Sequence, residues 1–134
     1  YDVRNIRKKI NNKLIRVFEF IDNMSLAYSS ADIVISRAGA IAISELSYYK
    51  KAMILIPLPS AAENHQKFNA DFLEIKNACK KIDQNLLSTG ILENSIKMLL
   101  SNKEKINSLE NNAKNIFKTN ASRIIAKKII EDIS

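Results

Sequence analysis

ADIVISRAGAIAISEL, residues 31–46, is the stretch that decides the fold. Its first part, Asp32–Ser36, is a short β-branched run, and unbroken apolar character of this kind reads as a strand buried on both faces. The run passes through Arg37-Ala38-Gly39-Ala40 straight into a helix-length segment, Ala40–Tyr49. A strand that feeds a helix through so short a turn is half of a βαβ unit. Gly39 is one of only two glycines in the chain. At this turn a glycine permits backbone conformations closed to other residues and lets a ligand come close to the main chain.

The same alternation continues outward on both sides. Further strand-like runs lie at Leu14–Phe18 and Met53–Ile56, with a weaker one near Lys80–Ile82, and helix-length segments at Val3–Asn12, Asn23–Ser30 and His65–Ala78. Strands separated by helices are the signature of a parallel sheet. Beyond Gln84 the pattern turns helical: Ser88–Leu100, Lys103–Thr119 and Ala121–Ile133, with Ile116, Ile124, Ile125 and Ile129 spaced for one buried face. The expected architecture is α/β, a Rossmann-like parallel sheet with flanking helices and a helical C-terminal extension. Asp22 is placed to cap the second helix, with Phe20 and Met24 as a hydrophobic staple around it, and Ser88 to cap the first late helix. Pro57 and Pro59 end the third strand and make the stretch to Glu63 a loop. A parallel sheet that opens on a helix leads to the expectation that a preceding strand lies outside these residues and that the chain is a fragment or a subunit.

Composition narrows the function classes. A chain of 134 residues with 46% hydrophobic and 26% charged residues reads as one globular domain. The longest apolar run, Ala52–Leu58, has seven residues, against the roughly 20 of a membrane-spanning helix. Tyr1–Lys9 is polar and basic and does not read as a signal peptide. One cysteine, Cys79, excludes an internal disulfide framework, and one histidine, His65, weighs against a zinc site. No metal and no cofactor are expected, and the protein reads as cytosolic. The net charge of +7 divides into +5 over residues 1–16, −1 over 17–102 and +3 over 103–134. The excess sits at the ends and is not interleaved with aromatic or helical reading elements, so no nucleic-acid partner is expected. It reads as solvated faces, or as a weak attraction to an anionic membrane surface.

In open parallel sheets, ligands bind beyond the carboxyl ends of the strands. Three exits come into question: Phe20–Asn23, Ser36–Ala42 and Pro57–Gln66. At the second, the residues after Gly39 present unpaired N–H groups at the positive end of a helix, a ready anion site. Glu45 lies four residues after Ile41 on the same face, and its side chain tilts back toward the helix start. It stands roughly 6 Å from the first turn at the helical rise per residue, about the separation of a phosphate from the ribose it esterifies. A carboxylate accepts from both hydroxyls of a vicinal diol, so this geometry predicts a nucleoside diphosphate. On spacing alone, Gly39 also reads as a packing glycine and Glu45 as a solvated residue. The third exit carries Glu63-Asn64-His65-Gln66 and then Asn69, with Gln66 and Asn69 one turn apart. Amides and an imidazole suit sugar hydroxyls; a polar helix start with His65 at the surface or as a cap fits equally. No serine or carboxylate stands at a spacing that marks His65 as half of a catalytic pair.

FIDNM at 20–24, ADIVISRAGAIAISEL at 31–46 and ILIPLPSAAENHQKFNA at 54–70, in this order and spacing, resemble the C-terminal donor domain of the MurG-type glycosyltransferases. The likeness is strong over 17–70 and weak over the last three helices. It implies the C-terminal half of a two-domain GT-B fold. The implied activity is transfer of N-acetylglucosamine from UDP-GlcNAc to lipid-linked muramoyl-pentapeptide (lipid I to lipid II) in peptidoglycan synthesis, inverting and metal-independent, at the cytoplasmic face of the bacterial cell membrane. By this resemblance, backbone groups of Ile21 would read the uracil edge. Gly39, Ala40, Ile41 and Ala42 would hold the diphosphate, and Glu45 would bind the ribose hydroxyls. His65 and Gln66 would contact the sugar, with Asn69 supporting them, while Arg37 would either touch phosphate or brace the loop.

The resemblance also implies an acceptor domain, a catalytic base, a first strand and a phosphate loop ahead of Tyr1. No catalytic residue is therefore expected in this chain, the lipid-linked acceptor would be met through the other domain, and the chain alone is expected to be inactive in transfer. Two departures stand out. Ala42 replaces a threonine of many relatives. Lys50, Lys51 and Ala52 stand where relatives end the helix with Gly and then Pro; a lysine in a left-handed cap costs about 1 kcal/mol, so a different helix end is expected here. Two alternatives remain: the donor subunit or domain of another GT-B lipid glycosyltransferase, such as the cytosolic half of the dolichol-linked N-acetylglucosamine transferase, and a non-catalytic module for a nucleotide or protein partner.

Overall fold

Ala52, Met53, Ile54 and Leu55 are all fully buried, which requires a strand flanked by neighbours and covered on both faces. The computed structural model describes residues 3–59, 64–116 and 121–132. It places Ala52–Leu55 (β2) between Ile33–Ser36 (β1) and the two-residue Lys80–Lys81 (β3), all parallel, in the order β1-β2-β3. The helices are α1 (Val3–Lys9), α2 (Met24–Ser30), α3 (Ala40–Tyr48), α4 (His65–Ile75), α5 (Thr89–Leu100), α6 (Lys103–Ile116) and α7 (Ala121–Asp132), with a 3-10 turn at Gln84–Leu86. The alternation of side chains along β2 divides the interior in two. Met53 and Leu55 join Tyr28, Leu46, Ala70, Leu73 and Ala113 on one face, while Ala52, Ile54 and Ile56 join Ile82, Leu99 and Leu109 on the other. Burying each large apolar side chain of β2 contributes about 1.5–3 kcal/mol, so the central strand anchors both layers.

Local chemistry sets the helix ends. Ser88 caps α5 as expected, its Oγ accepting from the Ile91 N–H at 3.3 Å. Asp22 does not cap α2. The helix starts one residue later, Asn23 takes the cap position and its Oδ1 accepts from the Leu26 N–H at 2.9 Å. The staple expected around Asp22 is lost with that shift, and Phe20 and Met24 are exposed. The end of α3 keeps a left-handed residue even without glycine: Lys50 has φ 53°. The Lys51 N–H reaches the Leu46 carbonyl at 2.9 Å and the Lys50 N–H that of Ser47 at 3.1 Å, the paired bonds of a Schellman cap. The different ending expected for this helix is not found, because two backbone hydrogen bonds outweigh the conformational cost. Asn77, φ 51°, ends α4 the same way, with Ala78 bonded back to Leu73 at 2.8 Å, which is why that helix stops short of Ala78.

Two further expectations fail. Leu14–Phe18 is not a strand: no described strand pairs with it, Leu14 is 92% exposed, and the segment lies against α1, where Arg7 Nε donates to the Val17 carbonyl at 3.0 Å. A β-branched run becomes a strand only where a partner supplies the ladder. Ile129 in α7 is 55% exposed, since an apolar stripe is buried only where an opposing surface meets it. Ion pairs along the same helix link Lys127 to Glu131 and Lys128 to Asp132. The side chains of Ile124 and Ile125, the end of Lys103–Thr119 and Ile133 lie outside the described residues, as does Glu63 of the loop begun by Pro57 and Pro59.

Candidate functional site

The three strands end level. Ser36 pairs with Leu55 and Leu55 with Lys81, so the chain leaves the sheet three times along one edge. Ile56 N–H donates to the Ser36 carbonyl at 2.9 Å, continuing the ladder one step past β2. Arg37 then ties the exits together: its Nη1 donates to the Ile56 carbonyl at 3.1 Å and to Gln84 Oε1 at 2.6 Å. These two bonds brace the strand exits.

The first two turns of α4 stitch the same edge. Gln66 Oε1 accepts from the Leu58 N–H at 3.0 Å, and Asn69 Nδ2 donates to the Ala38 carbonyl at 3.0 Å. Both residues lie on one helix face, as their spacing requires, and hold the loops after β2 and β1 respectively. His65 opens the helix and is exposed, following Asn64 in the left-handed region at φ 58°.

Gly39 is the N-cap of α3, with φ −70° and ψ 143°. The conformations that glycine permits here are not used, since any residue adopts that backbone. What glycine leaves is space, for a Cβ built there would meet nothing within 4 Å. Gly39 supplies no side-chain cap, and the first intrahelical bond is Ile43 N–H to the Gly39 carbonyl at 3.0 Å. The N–H groups of Ala40, Ile41 and Ala42 thus have no acceptor among the described residues. They converge at the positive end of the helix, where an anion is favoured.

Glu45 lies one turn further on and faces α2. The Tyr28 hydroxyl donates to its Oε2 at 2.7 Å. The two residues line an opening of about 400 Å³ together with Met24, Ser25, Ser44 and Tyr48. Met24 begins the helix that follows Ile21, so the opening borders the first of the expected exits, although no strand leads into it. Ile21 itself is exposed in the unpaired segment ahead of α2. Burial, then the hydrogen bond to Glu45, pushes the Tyr28 hydroxyl up to about 12, so the phenol remains a donor at physiological pH. Neither Tyr28 nor Gln84 was expected at the site. Each meets its partner across 17 or 47 residues of sequence, where no spacing rule operates.

Two further groups, Cys79 and Lys81, are engaged in packing and pairing. Cys79 is buried, its thiol pushed up to about 12 chiefly by that burial and turned to the Ala70 carbonyl, so it is a packing thiol and not a nucleophile. Lys81 is paired with Asp71 and Asp83, and the hydrogen bond it donates to Asp71 holds its ammonium above the ordinary value. Among the described residues no group of three His, Cys, Asp or Glu side chains could hold a metal ion.

A three-stranded parallel sheet with flanking helices, one of which starts uncapped just beyond a strand end, defines a protein of the Rossmann-like α/β class. The chain belongs to a known family within it: residues 2–129 match the glycosyltransferase family 28 C-terminal domain. A UDP-N-acetylglucosamine--N-acetylmuramyl-(pentapeptide) pyrophosphoryl-undecaprenol N-acetylglucosamine transferase of Rickettsia akari is 43% identical over 132 residues, 98% of this chain and 34% of that protein. The transferase of the same name from Rickettsia massiliae is 55% identical over 84 residues, 63% of this chain and 22% of its own length. The crystal structure of Acinetobacter baumannii MurG superposes with a TM-score of 0.83 at 29% identity, over 96% of this chain and 38% of that one. The expected C-terminal half of a GT-B fold agrees with that superposition. The chain spans about a third of the length of the Rickettsia akari relative.

Proposed function

We propose that this chain is the donor-binding part of a hexosyltransferase that moves N-acetylglucosamine from UDP-GlcNAc to a lipid-linked muramoyl-pentapeptide, with inversion. The observation that carries the proposal is the uncapped start of α3. Three N–H groups, Ala40 to Ala42, open onto space that Gly39 leaves clear, in a chain whose relatives are named for a UDP-sugar donor. The diphosphate is the leaving group. Its charge grows as the glycosidic bond breaks, and fixed N–H dipoles at the helix start stabilise that charge without reorganising.

In this reading Glu45 accepts from the ribose hydroxyls and the backbone at Ile21 meets the uracil. His65 and Gln66 contact the sugar. The Gln66 carbonyl oxygen is committed to Leu58, so its NH₂ is the group offered. Asn69 and Arg37 act one step back, holding the loops that shape the cradle. The relatives' acceptor is a pyrophosphoryl-undecaprenol, a lipid, which puts the reaction at a membrane surface; no described helix is long and apolar enough to cross one.

Calorimetric titration with UDP tests the proposal. Saturable binding is expected, weakened about tenfold or more in Glu45→Ala, the scale of one hydrogen bond to a charged group. Equal affinity of wild type and Glu45→Ala would remove the ribose assignment.

A further inference from the structure

Glu45 is exposed at the surface of α3, and a free glutamate there samples several rotamers. Its neighbour does not. Tyr28 is only 8% exposed. Its ring lies 5.3 Å from that of Tyr49, centroid to centroid, and Tyr49 meets Tyr48 edge-on at 5.0 Å. The hydroxyl of this fixed ring donates to Glu45 Oε2 at 2.7 Å. One hydrogen bond from a buried phenol thus selects the orientation of a mobile carboxylate. A carboxylate offers about four lone-pair sites; Tyr28 occupies one, and Oε1 with the remainder of Oε2 is left for a ligand in the opening the two residues line.

We infer that Tyr28 is a positioning residue for the donor: it presets Glu45 to receive both hydroxyls of the ribose, and so sets the preference for ribonucleoside over deoxyribonucleoside diphosphates. The inference rests on the reading that Glu45 binds the ribose. Preorganisation of this kind strengthens binding by removing the ordering cost from the binding step, and a charge-assisted bond holds the geometry better than a neutral one. Tyr28 touches no ligand in this arrangement; it acts through Glu45.

The test compares the affinities of the whole chain for UDP and for 2′,3′-dideoxy-UDP in wild type, Tyr28→Phe, Glu45→Ala and the double variant. Phe keeps the ring and its contact with Tyr49, and a thermal melt verifies the fold. Tyr28→Phe is expected to weaken UDP about five- to tenfold while leaving dideoxy-UDP within about twofold. In the Glu45→Ala background the same change should have no further effect. Equal loss for both nucleotides would make Tyr28 a general structural residue and overturn the inference. No change in Tyr28→Phe, with the preference abolished in Glu45→Ala, would overturn the inference and leave the ribose reading standing. A preference that survives Glu45→Ala would remove both. An independent reading on wild type uses the hydroxyl proton resonance of Tyr28: it should shift on adding UDP and not dideoxy-UDP, and a proton that ignores both nucleotides contradicts the inference.

Discussion

Arg37 shows how much one side chain can hold together. Its Nη1 bridges the Ile56 carbonyl after β2 and Gln84 Oε1 in the 3-10 turn after β3, while its own backbone lies after β1. Three strand exits are thereby held by one guanidinium, whose planar fork suits such bridging better than a lysine. Arg37→Ala leaves the Ile56 carbonyl short of a partner and should lower stability by about 1–2 kcal/mol, seen as a drop of several degrees in Tm. An unchanged melt with UDP affinity lost would instead make Arg37 a phosphate ligand. Gly39 carries the complementary lesson. Its backbone is ordinary, and its value to the site lies in the side chain it lacks.

At the level of elements, the caps decide where helices stop. Lys50 sits at φ 53° and Asn77 at φ 51° in equivalent Schellman positions, but asparagine tolerates the left-handed region and lysine does not. Lys50→Gly should therefore stabilise the chain by about 0.5–1 kcal/mol in urea denaturation, after the entropy of the unfolded glycine is set against the relief of strain. A destabilised Lys50→Gly would mean that the lysine side chain contributes more than its backbone costs. Most elements were legible in the sequence: β1, α3, β2, α4, α5 and α6 fall within a few residues of their expected bounds. Leu14–Phe18 was not, because strand propensity is realised only through a partner that is remote in sequence. The cap of α2 moved by one residue because Asp22 and Asn23 are both competent caps and geometry chose between them. At the site, Gly39, Glu45, Gln66 and Asn69 could be singled out by their place at strand exits. The bonds from Tyr28 to Glu45 and from Arg37 to Gln84 could not, since both are long-range contacts with no local signature.

Across the whole molecule, β2 separates two apolar layers while the level strand ends gather the loops on one edge. The layers support that edge, and Arg37, Gln66 and Asn69 hold Ile56, Leu58 and Ala38 on it. A larger groove of about 890 Å³ lies elsewhere, bounded by β3, α5 and α6 and including Lys80, Asn94 and Lys105. Volume alone favours that groove; the uncapped helix start favours the strand exits. Amide chemical-shift mapping of the ¹⁵N-labelled chain during titration with UDP decides between them. The donor-binding account predicts saturable shifts largest at Ala40, Ile41 and Ala42, with Tyr28 and Glu45 moving alongside. Saturable shifts confined to Lys80, Asn94 and Lys105, with the start of α3 unmoved, would contradict it.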